Sequence, residues 1–433
     1  MSLGSSVFNY WWSRSLEHSS RSDVGMRRTN NQDSHRSIPA TTLRLWRTRG
    51  HLFVVADGMG AHAAGELASQ MAVETISQSY LKKTDLPPEK ALREAFVNAH
   101  EKIKKQGKDE EAFHDMGTTS DALVLLPEGA LVAHVGDSRV YRLRGNVYEQ
   151  LTFDHSLLWE LKRSGKITDK VPDYIPKNVI TRSLGPTEKF DVDLEGPFPL
   201  QKGDTFLLCS DGLSGQINDD EMGQILSLFP PEEATETMIN LANLRGGPDN
   251  ITVVVAKMVD IPDPDEVRKS KRSERVYEKQ PFFTIPSLVC LALANASLLT
   301  SLLFFLMKHD KSNLHSLISL VVSAGLFGIF FYLARRYFWP NDQSAGLSAP
   351  LGKGPYVSAS AVPSPAFAED LADISSQLIN AVQKSQPDAC IPELKVLHEQ
   401  AQKAEQAKHT DSAIRLYVKI INRLFAELSP NRH

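Results

Sequence analysis

Five aspartates stand at the ends of candidate strands, and this placement constrains the chain more than any other feature. The run VVADG closes on Asp57-Gly58, and LLCSDG closes on Asp211-Gly212. AHVGDS reaches Asp137, GGPDN places Asp249 directly before ITVVVA, and RTNNQD ends on Asp33. A carboxylate at the end of an apolar strand sits at the edge of a core, where the chain turns. A following glycine lets the backbone carbonyl approach a ligand closely. Asp-Gly by itself marks an ordinary turn. Five such acids without a compensating His or Cys cluster instead suit hard, oxygen-liganded cations, Mg2+ or Mn2+. Gathered carboxylates repel one another, and cations remove that cost. Two such ions would activate a water and polarise an ester oxygen.

The runs that carry these acids read as strands: 51–57, 120–126, 130–136, 204–210 and 251–256, being short, apolar and bounded by turn residues. RVYRL (139–143) and NVYEQL (146–151) follow Gly136 with Arg144-Gly145-Asn146 between them, which makes a meander and hence an antiparallel part of the sheet. Helical stretches fit 63–82, 88–106, 155–164 and 231–244, and Pro87-Pro88 and Pro230-Pro231 suit helix starts. Residues 21–258 therefore form one substantial domain, after a polar, Ser-rich, poorly ordered segment 1–20. The class is α+β.

Composition narrows the partners. Lys and Arg number 48 against 52 Asp and Glu, a net charge of -4, so there is no basic footprint and no nucleic-acid partner is expected. Hydrophobic residues at 42% exclude disorder along the whole chain. Cys209, Cys290 and Cys390 lie far apart, which gives no disulfide framework and places the soluble parts in a reducing compartment.

Two later runs have a different character. Residues 282–307 and 314–334 contain no Asp, Glu, Lys or Arg and are separated only by Lys308 to Asn313. Each exceeds the ~18 residues that a helix needs to cross a hydrocarbon core, so the pair reads as a transmembrane hairpin within 282–338. The residues before Arg14 lack an apolar run, so no cleavable signal peptide is expected. Arg268, Lys269, Lys271, Arg272, Arg275 and Lys279 stand before the hairpin, and Arg335 and Arg336 stand after it. This charge bias places both flanks, and with them the domain and the C-terminal tail, on the cytoplasmic side of a multi-pass membrane protein, a bacterial inner membrane being the expected site. The basic residues of the 259–281 linker also suit anionic headgroups of the lipid bilayer.

Residues 339–366, rich in Pro, Gly, Ser and Ala, read as a flexible spacer. Residues 367–433 read as a helical tail: Leu371, Ile374, Leu378 and Val382 recur at helical spacing, as do Tyr417, Ile421, Leu424 and Leu428, with Thr410 and Asp411 as caps. The stretch 401–421 faintly resembles one tetratricopeptide unit and suggests an adaptor with an unidentified partner.

Taken together, the aspartate motifs resemble those of the metal-dependent PPM-type (type 2C) serine/threonine protein phosphatases in their bacterial form. The resemblance rests on DVGMRRTNNQD (23–33), VADGMGAHAAGE (55–66), MGTT (116–119), VGDSR (135–139), TRSLG (181–185), CSDGL (209–213) and GPDNIT (247–252), in family order across about 21–258. It implies an α-β-β-α sandwich of two antiparallel sheets flanked by helices. It implies hydrolysis of phosphoserine and phosphothreonine by a metal-activated water, without a phosphoenzyme, using two Mn2+ or Mg2+ ions. Under the resemblance Asp57 bridges the two ions, the Gly58 carbonyl joins them, Asp211 and Asp249 bind the first, and Asp33 contributes directly or through water. Asp137 matches a third, weaker site, Arg28 holds the substrate phosphate, and His62 is the candidate general acid. Gln32 stands where many members carry Glu, and Ala61 replaces a common Gly.

The resulting expectation is a membrane-anchored phosphatase acting on phosphorylated Ser/Thr proteins near the bilayer, such as a kinase or its targets. The alternative is a catalytically inactive phosphoprotein-binding or adaptor module with the same fold. All the metal-site aspartates are present, which favours the enzyme.

Overall fold

The computed structural model describes residues 15–60, 63–167, 175–176, 179–188, 190–261, 321, 351–385 and 391–428. The first sheet runs β1 (Leu16–Asp23), β11 (Ile251–Met258), β10 (Thr205–Cys209), β7 (Arg139–Arg144), β8 (Val147–Gln150) and β12 (Val357–Ser360). The second runs β2 (Asp33–Ile38), β3 (His51–Met59), β5 (Ser120–Leu126), β6 (Gly129–Val135) and β9 (Asp193–Phe198), with β4 (Gly117–Thr118) paired to the end of β3. Every pairing is antiparallel.

Strand alternation builds three apolar layers. Phe53 and Val55 of β3 point toward Phe206, Leu208 and Val254 of the other sheet and make the inner core. Leu52, Val54 and Ala56 point the opposite way, onto α2 (Ala64–Lys82) and α3 (Pro88–Asp109). Cys209, Val253 and Val255 face outward from the first sheet, toward α6 (Asp219–Leu228) and α7 (Pro231–Leu244). The remaining helices of the domain are α1 (Leu43–Arg49), α4 (Leu157–Arg163) and the short α5 (Asp211–Ser214). The expected α-β-β-α sandwich is what the chain forms.

Two segment boundaries differ from the sequence reading. Residues 16–20, read as part of a poorly ordered N-terminus, belong to β1. Its sequence LEHSSRSD is too polar to announce a strand, but it pairs with all of β11, from Leu16 opposite Met258 to Asp23 opposite Ile251. Residues 351–361, read as part of a flexible spacer, instead lie across both sheets. Leu351 bridges Gly196 of β9, and Val357–Ser360 pair with β8. Open strand edges, not local composition, determine this placement.

The tail is helical as read, with α8 (Pro365–Ser385), α9 (Ile391–Gln406) and α10 (Thr410–Leu428), but it is not a separate module. Phe367, Leu371, Ile414 and Ile421 share one buried cluster with Phe229 and Met238 of the domain. Asn240 of α7 donates to Asn422 of α10 at 2.9 Å, and Arg245 bridges Glu221 and Asp370 at 2.7 and 2.6 Å. The described residues of 15–261 and 351–428 accordingly belong to one compact unit. The hairpin read at 282–338 lies outside the described residues, Val321 excepted. Among the described residues, no helix is long and apolar enough to cross a membrane.

Candidate metal centre

The aspartates converge because the strands that carry them end at the same edge of the sandwich. Asp33 opens β2 directly opposite Asp57 near the end of β3. Asp137 follows β6, Asp211 begins the helix after β10, and Asp249 precedes β11. The backbone around Asp57 is pinned by β4 and the residue after it: Thr118 Oγ1 donates to the Asp57 carbonyl at 2.8 Å, and the Asp57 N–H donates to Thr119 Oγ1 at 3.0 Å. Thr119 Oγ1 also lies 2.8 Å from Ser138 Oγ, which ties the Asp57 strand to the residue after Asp137. Gly58 admits no side chain, since a Cβ there would stand 2.0 Å from the Gly65 carbonyl oxygen.

The loop before β2 is fastened by Asn250. Its Nδ2 donates to the carbonyls of Val24 and Asn30 at 2.9 and 3.0 Å, and its Oδ1 accepts from the Gln32 N–H at 2.8 Å. This staple presents Arg28, whose Nη2 donates to Asp249 Oδ2 at 2.8 Å while the side chain stays 47% exposed. The proposed phosphate-holding residue and a proposed metal ligand are thus neighbours. Gln32 Nε2 donates to the Gly60 carbonyl at 3.4 Å, a bond that a glutamate could not make.

The electrostatics of the group are those of crowded acids. Burial, then the charges of Asp211 and Asp249, push Asp33 up to about 7 against hydrogen bonds from Thr252 and Ser210. Burial and the neighbouring Asp33 and Asp211 raise Asp57 well above the carboxylate range. Asp137 is pushed up to about 7 by burial and by Asp211 and Asp154, with Arg139 opposing. Asp211 is raised by burial and Asp249. Three carboxylate oxygens, Asp33 Oδ1, Asp137 Oδ1 and Asp211 Oδ1, are buried without a hydrogen-bond partner. Among the described residues, no three His, Cys, Asp or Glu side chains stand ready-made as an ion cage. The donor chemistry nonetheless fits hard divalent cations: several mutually repelling carboxylates, with orphaned oxygens that only a cation or a proton can satisfy.

The structure therefore brings together Asp33, Asp57, Gly58, Asp137, Asp211 and Asp249, with Arg28 paired to Asp249. His62 lies outside the described residues. Ser210 and Asn250, which hold Asp33 and the Arg28 loop, were not singled out in the sequence, although each adjoins a marked aspartate. A buried pair was also missed: His134 Nδ1 lies 2.6 Å from Asp121 Oδ1, and its Nε2 lies 2.8 Å from the Phe153 carbonyl, which it can only approach as a donor. Beside it His155 Nδ1 accepts from the Gly136 N–H at 3.1 Å, and its Nε2 meets Asp193 at 3.0 Å. Burial lowers His155 to about 4, so it is neutral and supports the turn before Asp137 as a fixed hydrogen-bonding group.

Comparison with known proteins agrees with this geometry. A family model described as Protein phosphatase 2C matches residues 26–245. Protein phosphatase PhpP of Streptococcus pneumoniae is 40% identical over 249 residues, which are 56% of this chain and 98% of that protein. The serine/threonine phosphatase stp of Listeria monocytogenes is 39% identical over 212 residues, 48% of this chain and 84% of that protein. The solved S. agalactiae serine/threonine phosphatase superposes with a TM-score of 0.51 at 32% identity, covering 56% of this chain and 99% of that one.

Proposed function

The chain belongs to the protein phosphatase 2C family, and we propose on that premise that it hydrolyses phosphoserine and phosphothreonine in proteins, with two divalent cations, from a membrane anchor. The observation that carries the cation part is the buried aspartate group with its three unpartnered oxygens. Asp57, Asp211, Asp249, Asp33 and the Gly58 carbonyl would hold two Mn2+ or Mg2+ ions, and Asp137 a third, weaker one. When bound, these ions supply an activated water and offset charge on the phosphate.

The protein's own groups do the rest. Arg28 offers forked, exposed donors that match phosphate oxygens, and Asp249 orients it. His62 would protonate the departing seryl or threonyl oxygen. Cys209 cannot serve as a nucleophile: it is fully buried, and burial pushes its thiol up. This removes Cys209 from the groups that could form a phosphocysteine.

The two uncharged runs and their basic flanks support the membrane anchor. Both ends then lie in the cytoplasm, and the substrates are phosphoproteins near the bilayer, such as a kinase or its targets.

The test uses the full chain in detergent with a phosphothreonine peptide, in Mn2+, in Mg2+ and in chelator, beside Asp57→Asn and Asp249→Asn. Metal-dependent turnover lost in both variants is expected. A folded, metal-replete protein without turnover would leave the phosphoprotein-binding reading instead. Recovery of the full chain in the soluble fraction of lysed cells would overturn the anchor.

A further inference from the structure

Residues 351–361 lie outside the family-matched span of 26–245, yet they are laced into the domain at three levels. Leu351 exchanges backbone hydrogen bonds with Gly196 of the second sheet. The Gly354 N–H and the Tyr356 hydroxyl both donate to the carboxylate of Glu195, at 2.9 and 2.5 Å, and Glu195 is only 3% exposed. Gly352, at φ +71°, wraps this carboxylate so closely that a Cβ would meet its Oε2 at 1.8 Å. Beyond Tyr356 the strap pairs with β8 of the first sheet.

Two routes lead from the strap toward the metal centre. One is hydrogen-bonded. The Tyr356 N–H donates to the Gln150 carbonyl at 2.8 Å, Gln150 Nε2 donates to Asp154 Oδ1 at 2.7 Å, and Arg139 grips Asp154 Oδ2 through Nε and Nη2 at 2.9 and 2.7 Å. The other is aromatic. The Tyr356 ring meets Phe153 edge-on at 5.5 Å, Phe153 meets Trp159 of α4 at 5.1 Å and 90°, and the Arg139 guanidinium lies 5.9 Å from the Trp159 ring. Both routes end on Arg139, two residues after Asp137. The Arg139 guanidinium is held between Asp154, the Trp159 ring and the Tyr141 hydroxyl, so a shift of segment 150–159 is transmitted to it.

We propose that the strap 351–361 is a positioning element of the phosphatase site, with Tyr356 as its key residue, holding segment 150–159 and thereby the Asp137–Arg139 turn. The inference rests on the phosphatase reading and deepens it. It assigns to the chain beyond the family-matched residues a part in the geometry of the centre, and it makes the activity of this protein depend on a segment the family match does not include.

The test compares the full chain with Tyr356→Leu, Tyr356→Phe and Gly352→Val. Readouts are Mn2+ binding by titration calorimetry, kcat and KM on a phosphothreonine peptide, and thermal unfolding. Supporting residues behind metal ligands change affinity or activity by about 10–100-fold, so Tyr356→Leu is expected to weaken Mn2+ binding and lower kcat by about 10-fold. KM should stay within about twofold, because no group that touches substrate is altered. Tyr356→Phe, which keeps the ring on Phe153, should restore most of both. Gly352→Val, which crowds Glu195 and lifts the strap while keeping the tyrosine at 356, should repeat the loss. Wild-type Mn2+ affinity and kcat in folded Tyr356→Leu and Gly352→Val, or losses that merely track the unfolded fraction, would overturn the proposal. Absence of turnover in the wild type would instead defeat the phosphatase reading, while calorimetry would still report on the strap.

Discussion

The hydroxyl of Ser210 donates to Asp33 Oδ2 at 2.7 Å, and it does so across the two sheets. Ser210 follows β10 of the first sheet, and Asp33 opens β2 of the second. The same hydroxyl accepts from the Thr252 N–H at 2.9 Å. One small side chain thus fixes the distance between the sheets at the point where the candidate metal ligands gather, and gives Asp33 one of its few donors.

Removing that donor leaves a buried carboxylate less satisfied. Ser210→Ala should lower stability in chelator by about 1–3 kcal/mol, the cost of an unmet buried hydrogen bond. Urea unfolding measures it, and an unchanged midpoint would show that the hydroxyl does not support Asp33.

The crowded acids make the metal-free protein sensitive to pH. The folded values of Asp33 and Asp137, about 7, lie above their ordinary 3.8. The folded state therefore binds more protons than the unfolded state, and stability present below about pH 4 is lost as pH rises toward about 7. Asp137→Asn removes one such group. In chelator its stability relative to wild type should improve with rising pH across that window, with a slope no steeper than about 1.4 kcal/mol per pH unit. A pH-independent difference would contradict the raised value.

Gln32 has two consequences that Gln32→Glu would separate. The substitution abolishes the donation to the Gly60 carbonyl and adds a negative charge beside the aspartates. Mn2+ binding should tighten by about 10-fold, one nearby charge being worth about 1 kcal/mol or more at a partly buried site, while the metal-free protein should lose stability. Calorimetry with Mn2+ and unfolding in chelator check the two signs independently.

Arg28 should not tolerate replacement by lysine. A point charge cannot match two phosphate oxygens as a guanidinium does, so Arg28→Lys should raise KM for a phosphothreonine peptide by about 10-fold or more with a smaller change in kcat. Steady-state kinetics decide it, and a fall in kcat with KM unchanged would place Arg28 in the chemical step instead.

The tail should melt with the domain. Ile414 and Leu424 are buried in the cluster that contains Met238, so Ile414→Ala or Leu424→Ala should cost about 2–5 kcal/mol and shift the single main transition of the compact unit. A separate, earlier transition for residues 365–428 would mean that the tail folds by itself.

Much of the domain was legible because its strands are buried on both faces. The segments LFVVA, FLLC and VVVA within HLFVVAD, DTFLLCS and ITVVVA are wholly apolar, as strands between another sheet and a helix layer must be, and each run has an acid at or just beyond one end, Asp57, Asp211 or Asp249, that has no place in a core. Asp57, Asp211 and Asp249 could therefore be read directly, since local burial and a terminal charge are properties of neighbouring residues in the chain.

What the tertiary structure alone decided are the relationships between distant segments. LEHSSRSD becomes β1 because β11 offers an unpaired edge, and VSAS becomes β12 because β8 does; neither has a pattern of its own to declare it. The tail's helices were visible from their period, but the surface they cover, on α7, depends on which apolar faces meet in three dimensions. Ser210 reaches Asp33, and Tyr356 reaches Glu195, only because pairing brings separate strands together. Sequence determines which residues must be buried or charged, and the long-range pairing of edges and faces determines which of them touch.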